Sequence, residues 1–216
     1  MDYQAVLFDF DYTLGDTTEP IVRGFRYAFE RMGLPAPERE AVRGTIGHML
    51  EDAFTILSGE TSPERRAEFR RWFTKEAHPL QVSETRLFPG AKELLSALRA
   101  AGVRVGVVST KGSAVLREIL DQQGELAGMD VVLGGDQVAR PKPDPEGLNR
   151  AVAGLGLEKG QVLFCGDTVI DAETARRAGT DFCAVLNGTT PAGAFETFPY
   201  VYIAPGLAEL KDWLGA

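Results

Sequence analysis

Cysteine and histidine are scarce in this chain, with two of each among 216 residues. Cys165 and Cys183 form no CxxC pair and both lie in apolar runs, so they read as small buried strand residues of a reducing compartment. No uninterrupted run of about 18 apolar residues occurs, which argues against a membrane span. The opening MDYQAVLFDFD has no basic segment before its apolar stretch, so it reads as a buried strand and not as a secretory signal. Positive charge is in deficit, with 23 Lys and Arg against 31 Asp and Glu and a formal net charge of -8. Such a surface repels polyanions, and a nucleic acid polymer is excluded as a partner on charge. Repeats and low-complexity tracts are missing as well. A cytoplasmic globular protein is expected, with 44% hydrophobic and 25% charged residues, long enough for one core domain and a smaller insert.

Short apolar runs alternate with helical patterns. Residues 5–8, 103–108, 131–133, 162–165, 182–186 and 201–203 read as strands apolar on both faces, as a parallel sheet covered by helices requires. Leu94, Leu95, Leu98 and Ala101 share one helical face before Gly102, and Ala172, Ala175 and Ala178 share another before Gly179. This is the rhythm of a doubly wound, Rossmann-like α/β domain. From Asp16 to Val82 the pattern is helical with no strand. Thr17 or Thr18 is the expected cap of a first helix whose apolar stripe runs Ile21, Val22, Phe25, Ala28, Phe29 and Met32. Gly33 and Pro35 end it. Further helices are predicted over 38–43, 49–57 and 63–77, with Met49, Phe54, Leu57, Phe69, Trp72 and Phe73 as their core. The predicted division is a core of residues 1–15 and 83–216 and a helical insert of residues 16–82.

Ligands of open α/β sheets sit beyond the carboxyl ends of the strands. Four such ends carry chemistry here: Asp9-Phe10-Asp11-Tyr12-Thr13, Ser109-Thr110-Lys111, Lys142 in a proline-rich loop, and Gly166-Asp167 with Asp171. Each alone also fits a turn or a helix cap; their order, one per strand end, points to a site. Carboxylates gathered without histidine or cysteine suit a hard cation, magnesium best. Lys142 adds a compact positive charge, and Ser109 can bond phosphate oxygens. A nucleophile, a cation and equatorial donors are what phosphoryl transfer needs.

On these residues the chain resembles the haloacid dehalogenase-like (HAD) hydrolases, in the branch related to phosphoglycolate phosphatase and β-phosphoglucomutase. Asp9-x-Asp11-x-Thr13-Leu14 is similar to the family's first motif, Ser109 to its second, Lys142 to its third, and Gly166-Asp167-x-x-x-Asp171 to its fourth. The likeness spans the chain, with the helical insert as a cap domain. It implies a phosphatase of small phosphorylated metabolites. Asp9 would form an aspartyl-phosphate, and Asp11 would act as general acid and then base. Ser109 and Lys142 would hold the phosphoryl group. Magnesium would be held by Asp9, the Asp11 carbonyl and Asp167, with Asp171 a ligand or a support. Thr110, where the family often has asparagine, and Tyr12, where it usually has glycine, are departures that bear on the substrate pocket.

In the cap, Arg43 and His48 flank Gly44-Thr45-Ile46-Gly47 and are candidate substrate contacts, or else the solvated ends of a turn. A phosphosugar mutase is the alternative activity, although Gly47 stands where a second base would be expected; a non-catalytic binding protein on the same fold is a further one. Arg23 and Lys75 read as surface charges and His78 as structural. The oligomeric state is left open.

Overall fold

The computed structural model describes residues 3–216. Its strands are β1 (Ala5–Phe8), β2 (Gly15–Asp16), β3 (Arg86–Leu87), β4 (Arg104–Val108), β5 (Val131–Leu133), β6 (Val162–Gly166), β7 (Asp181–Val185) and β8 (Tyr202–Ala204). Its α-helices are α1 (Thr18–Arg31), α2 (Arg39–Arg43), α3 (Leu50–Ser58), α4 (Pro63–Glu84), α5 (Ala91–Ala100), α6 (Ser113–Gln122), α7 (Glu146–Gly154), α8 (Val169–Ala178) and α9 (Leu207–Leu214). Six strands form one parallel sheet in the order β5-β4-β1-β6-β7-β8. The α/β doubly wound reading therefore holds, with strand ends shifted by one residue at most places, as such boundaries usually are.

The sheet is apolar on both faces because both are covered. Val6 and Phe8 of β1 pack with Leu94, Leu95 and Leu98 of α5, Leu116 and Ile119 of α6, and Leu210 of α9. Ala5 and Leu7, pointing the other way, join Leu148 and Ala151 of α7 and Ala172, Ala175 and Ala178 of α8. Cys165 and Cys183 are buried free thiols facing each other across β6 and β7. No helix among the described residues is long and apolar enough to cross a membrane.

Helices α1 to α4 build a separate apolar cluster. The stripe from Ile21 to Met32 is buried in it, together with Ala53, Phe54, Phe69 and Phe73. Phe54 and Phe69 stack at 4.4 Å between centroids, with Phe29 edge-on to both. Gly24 lets α1 and α4 close up, since a Cβ there would lie 2.8 Å from the Phe73 ring.

Four local readings of the sequence need correction or refinement. Asp16 is not helical or loop: β2 pairs antiparallel with β3, Gly15 against Leu87 and Asp16 against Arg86, a ribbon too short to show a pattern. Thr17 does hold the cap position of the first helix but makes no capping bond, since its hydroxyl turns to Asp11, and Asp16 Oδ1 instead accepts from the Thr18 amide at 3.0 Å. The last insert helix runs on past Ala77 to Glu84, through Pro79. One ladder bond is lost at the proline, but Ala77 and Gln81 on either side are buried and hold the helix in place. Met49 is no part of the apolar cluster; it sits before α3 on the wall of a cavity facing the sheet domain.

Phe69 touches every other aromatic ring of the insert's core. Truncation by Phe69→Ala is expected to lower the stability of the insert by about 3–5 kcal/mol, read as an earlier urea transition with the sheet's own transition little moved.

Candidate active site

Strand β1 lies at the centre of the sheet, where chain order reverses: β4 and β5 extend to one side and β6, β7 and β8 to the other. The crevice of a doubly wound sheet opens at such a point, beyond the carboxyl ends. Asp9 follows β1 directly, and its amide still bonds the Cys165 carbonyl at 2.9 Å. Its carboxylate is 1% exposed. Beside it the chain winds tightly, with the Phe10 carbonyl accepting from the amides of Thr13, Leu14 and Gly15.

That winding needs a left-handed residue, and it is Tyr12, at φ 59°, rather than Gly15. A left-handed non-glycine residue costs roughly 1–2 kcal/mol. Compensation is visible in the side chain. Tyr12 is 3% exposed, its hydroxyl lies 2.8 Å from Thr18 Oγ1, and Arg43 Nε donates to it at 3.3 Å.

Lys142 reaches in from the loop before α7 and is buried. Its ammonium donates to Asp171 Oδ1 at 2.6 Å and faces Asp9 Oδ1 at 3.0 Å. The second contact is poorly aligned for a hydrogen bond, and Asp9 Oδ1 has no other donor. Burial alone would push the Lys142 ammonium down, but Asp171 and Asp9 outweigh it and hold the group firmly protonated. Asp171 Oδ2 accepts from the amide and hydroxyl of Thr168, at 3.1 and 2.5 Å, in the capping box of α8. Both oxygens of Asp171 are thus occupied by protein donors, as befits a support for Lys142.

Asp167, at the end of β6, accepts from Thr13 Oγ1 at 3.1 Å. Burial and then the negative charges of Asp171 and Asp9 push its carboxyl well up from the ordinary range. Oxygens of Asp9, Asp167 and Asp171 lie within 4.8 Å of one another. An all-oxygen set, one orphaned buried oxygen, and a carboxyl raised by like charge are the marks of a place that fits a hard cation, whose charge would reverse that shift. The acidic cluster could hold a metal ion.

Asp11 is buried too; burial raises its carboxyl, against the opposing pull of Lys111. Its Oδ1 accepts from the Thr17 hydroxyl at 2.7 Å and lies 3.1 Å from Lys111 Nζ. Ser109, at the end of β4, is buried, and its hydroxyl oxygen accepts from the Lys111 amide at 3.3 Å. Thr110 donates to the Gly47 carbonyl of the insert at 3.1 Å. Arg43 is turned to Tyr12 and Glu40 and does not line the adjoining cavity, whereas His48 does.

Two groups receive no role in the sequence reading, although Lys111 is named there at its strand end. Lys111 is half-buried, with its side chain 6% exposed, and also donates to Gln81 of α4. Its position two residues past Ser109, at a strand end, was the available signal. The loop after β7 was the one central strand end left unread. There Asn187 donates to the Thr13 carbonyl at 3.1 Å, and Gly188 passes so close to Asp167 that a Cβ would run into Oδ2.

Comparison with known proteins agrees with this geometry. The haloacid dehalogenase-like hydrolase family model matches residues 6–185, and the chain belongs to that family. It is 34% identical over 194 residues to the N-acetylmuramic acid 6-phosphate phosphatase of Pseudomonas aeruginosa, covering 87% of this chain and 84% of that one. It is 29% identical over 222 residues to the phosphoglycolate phosphatase of Vibrio parahaemolyticus, covering 98% and 96%. A solved haloacid dehalogenase-like hydrolase of Bacteroides fragilis superposes with a TM-score of 0.93 at 38% identity, covering 96% of this chain and 99% of that one.

The Gly188→Ala protein is expected to bind a divalent cation about 10–100-fold more weakly, because the methyl displaces the Asp167 carboxylate without removing any acidic group. Calorimetric titration with magnesium checks this, and unchanged affinity would separate Asp167 from the cation site.

Proposed function

We propose that the protein is a magnesium-dependent phosphatase of a small phosphorylated metabolite, working through an aspartyl-phosphate on Asp9. The observation that carries this reading is the state of Asp9: buried, at the central strand end, one oxygen 3.0 Å from a protonated Lys142 and without an aligned donor. An oxygen held there without a donor keeps its lone pairs for attack. Asp9 attacks phosphorus as the bond to the leaving oxygen breaks, and Asp11 gives its proton to that oxygen. Water then attacks the acyl phosphate, Asp11 takes its proton, and inorganic phosphate leaves with Asp9 restored. The raised carboxyl of Asp11 suits a group that must begin protonated.

Asp9, the Asp11 carbonyl and Asp167 would hold magnesium, which would supply neutralising charge to the phosphoryl oxygens. Lys142 and Ser109 hold the same oxygens, and Asp171 positions Lys142. Residues 16–82 act as a cap over residues 1–15 and 83–216 and shut water out during transfer. The contacts of Arg43 with Tyr12 and of Gly47 with Thr110 are its closed seam. Gly47 also weighs against a mutase, because it has φ 107° and a Cβ would meet Thr168 Cγ2 at 3.0 Å, leaving little room for a basic side chain.

Phosphate release from a panel of phosphorylated metabolites tests the reading. Release is expected with magnesium, and is expected to vanish with EDTA and in the Asp9→Asn protein. Full activity of Asp9→Asn would sink the nucleophile assignment. Asp171→Asn is expected to keep magnesium affinity within a few-fold while kcat falls at least tenfold, since Lys142 loses its anchor; a matching loss of metal binding would make Asp171 a ligand instead.

A further inference from the structure

A cavity of about 220 Å³ runs from Asp11 up between α1, α3 and α4 on one side and the first turn of α6 on the other. Asp11 is at its base and Asp9 is not on its wall, so it lies on the side of the departing alcohol. At about 10–15 Å³ for each water, the space holds upwards of ten waters, far more than a two-carbon acid would fill. Ile21, Phe25, Leu50, Ala53, Phe73 and Val115 make much of the wall apolar.

Apart from His48 at the rim, the charged groups on the wall are already matched. Lys111 is taken by Asp11 and Gln81. Arg70 is paired with Glu51. His78 Nε2 is 3.1 Å from Glu118 Oε2. Asp136, also on the wall, accepts from the amide and hydroxyl of Ser113 at 2.7 and 2.9 Å. His48 stands exposed at the rim. A second anion on the substrate would therefore meet apolar surface and the carboxylates of Asp11 and Asp136, with no lysine or arginine free of a carboxylate partner to receive it.

We infer that the leaving group is an uncharged alcohol with an apolar face, of monosaccharide or cyclohexyl size, and that esters carrying a carboxylate beside the phosphate are disfavoured. The inference rests on the phosphatase reading and narrows its substrate class. It implies a preceding reaction that phosphorylates a neutral hydroxyl compound, as a kinase does.

The test is a matched pair at saturating magnesium: cyclohexylmethyl phosphate and its 4-carboxy analogue, with 2-phosphoglycolate as the small acid. The neutral ester is expected to have a kcat/KM at least tenfold above both acids. Thr74 is exposed on α4 and lines the cavity, so Thr74→Arg adds a free cation without disturbing the fold. It is expected to narrow the neutral-to-acid ratio at least threefold; a parallel fall for both esters would overturn the inference. Equal or better turnover of either acid by the unaltered protein would overturn it while leaving the phosphatase reading intact. Release from none of the three would overturn both.

Discussion

The buried ammonium of Lys142 between Asp9 and Asp171 is the contact on which the rest of the centre depends. Four carboxylates, those of Asp9, Asp11, Asp167 and Asp171, are buried at neighbouring strand ends. Without an internal cation they would protonate or repel one another apart. Lys142 meets two of them directly and Lys111 a third, which leaves Asp167 as the carboxylate with no lysine contact. It is also the one that burial and like charge raise most plainly. The arrangement holds more buried carboxylates than lysines, which fits a place where a metal ion could sit.

The sheet makes this crowding possible. The four acidic groups come in pairs from two neighbouring strand ends, Asp9 and Asp11 after β1 and Asp167 and Asp171 after β6, so no single segment carries the whole repulsion. Capping interactions bear part of the load. Asp171 belongs to the capping box of α8, and the amide of the cap residue Thr168 is one of its donors. The geometry of the site is thus continuous with ordinary secondary-structure physics, and its stability draws on the same hydrogen bonds that start a helix.

The sheet was legible in the sequence because burial on both faces leaves an unbroken signature: Ala5 to Phe8 has no polar residue to confuse the reading. The positions of Asp9, Ser109, Lys142 and Asp167 followed, since a parallel sheet puts all strand ends on one edge. What stayed hidden was whatever depends on partners distant in sequence. Lys111 looks like a surface lysine until Gln81 and Asp11 are seen around it, and Gly188 looks like a turn until Asp167 is seen against it. The ribbon of β2 and β3 is two residues wide and carries no periodicity. Pro79 hid the length of α4 because a single missing donor was outweighed by burial that local sequence does not display.

Tyr12 joins these levels. A glycine at φ 59° would make the same loop free of strain but would contribute no side chain. The tyrosine accepts the strain and carries its hydroxyl to Thr18, at the start of the insert's first helix, and to Arg43 farther along the insert. The loop that holds Asp9 and Asp11 is thereby tied to the elements that cover it. Any movement of the helices away from the sheet breaks the Arg43 contact and removes part of what offsets the left-handed backbone. The strain in that loop and the seating of the helices over it are therefore one coupled quantity, so the loop is best supported when those helices cover it.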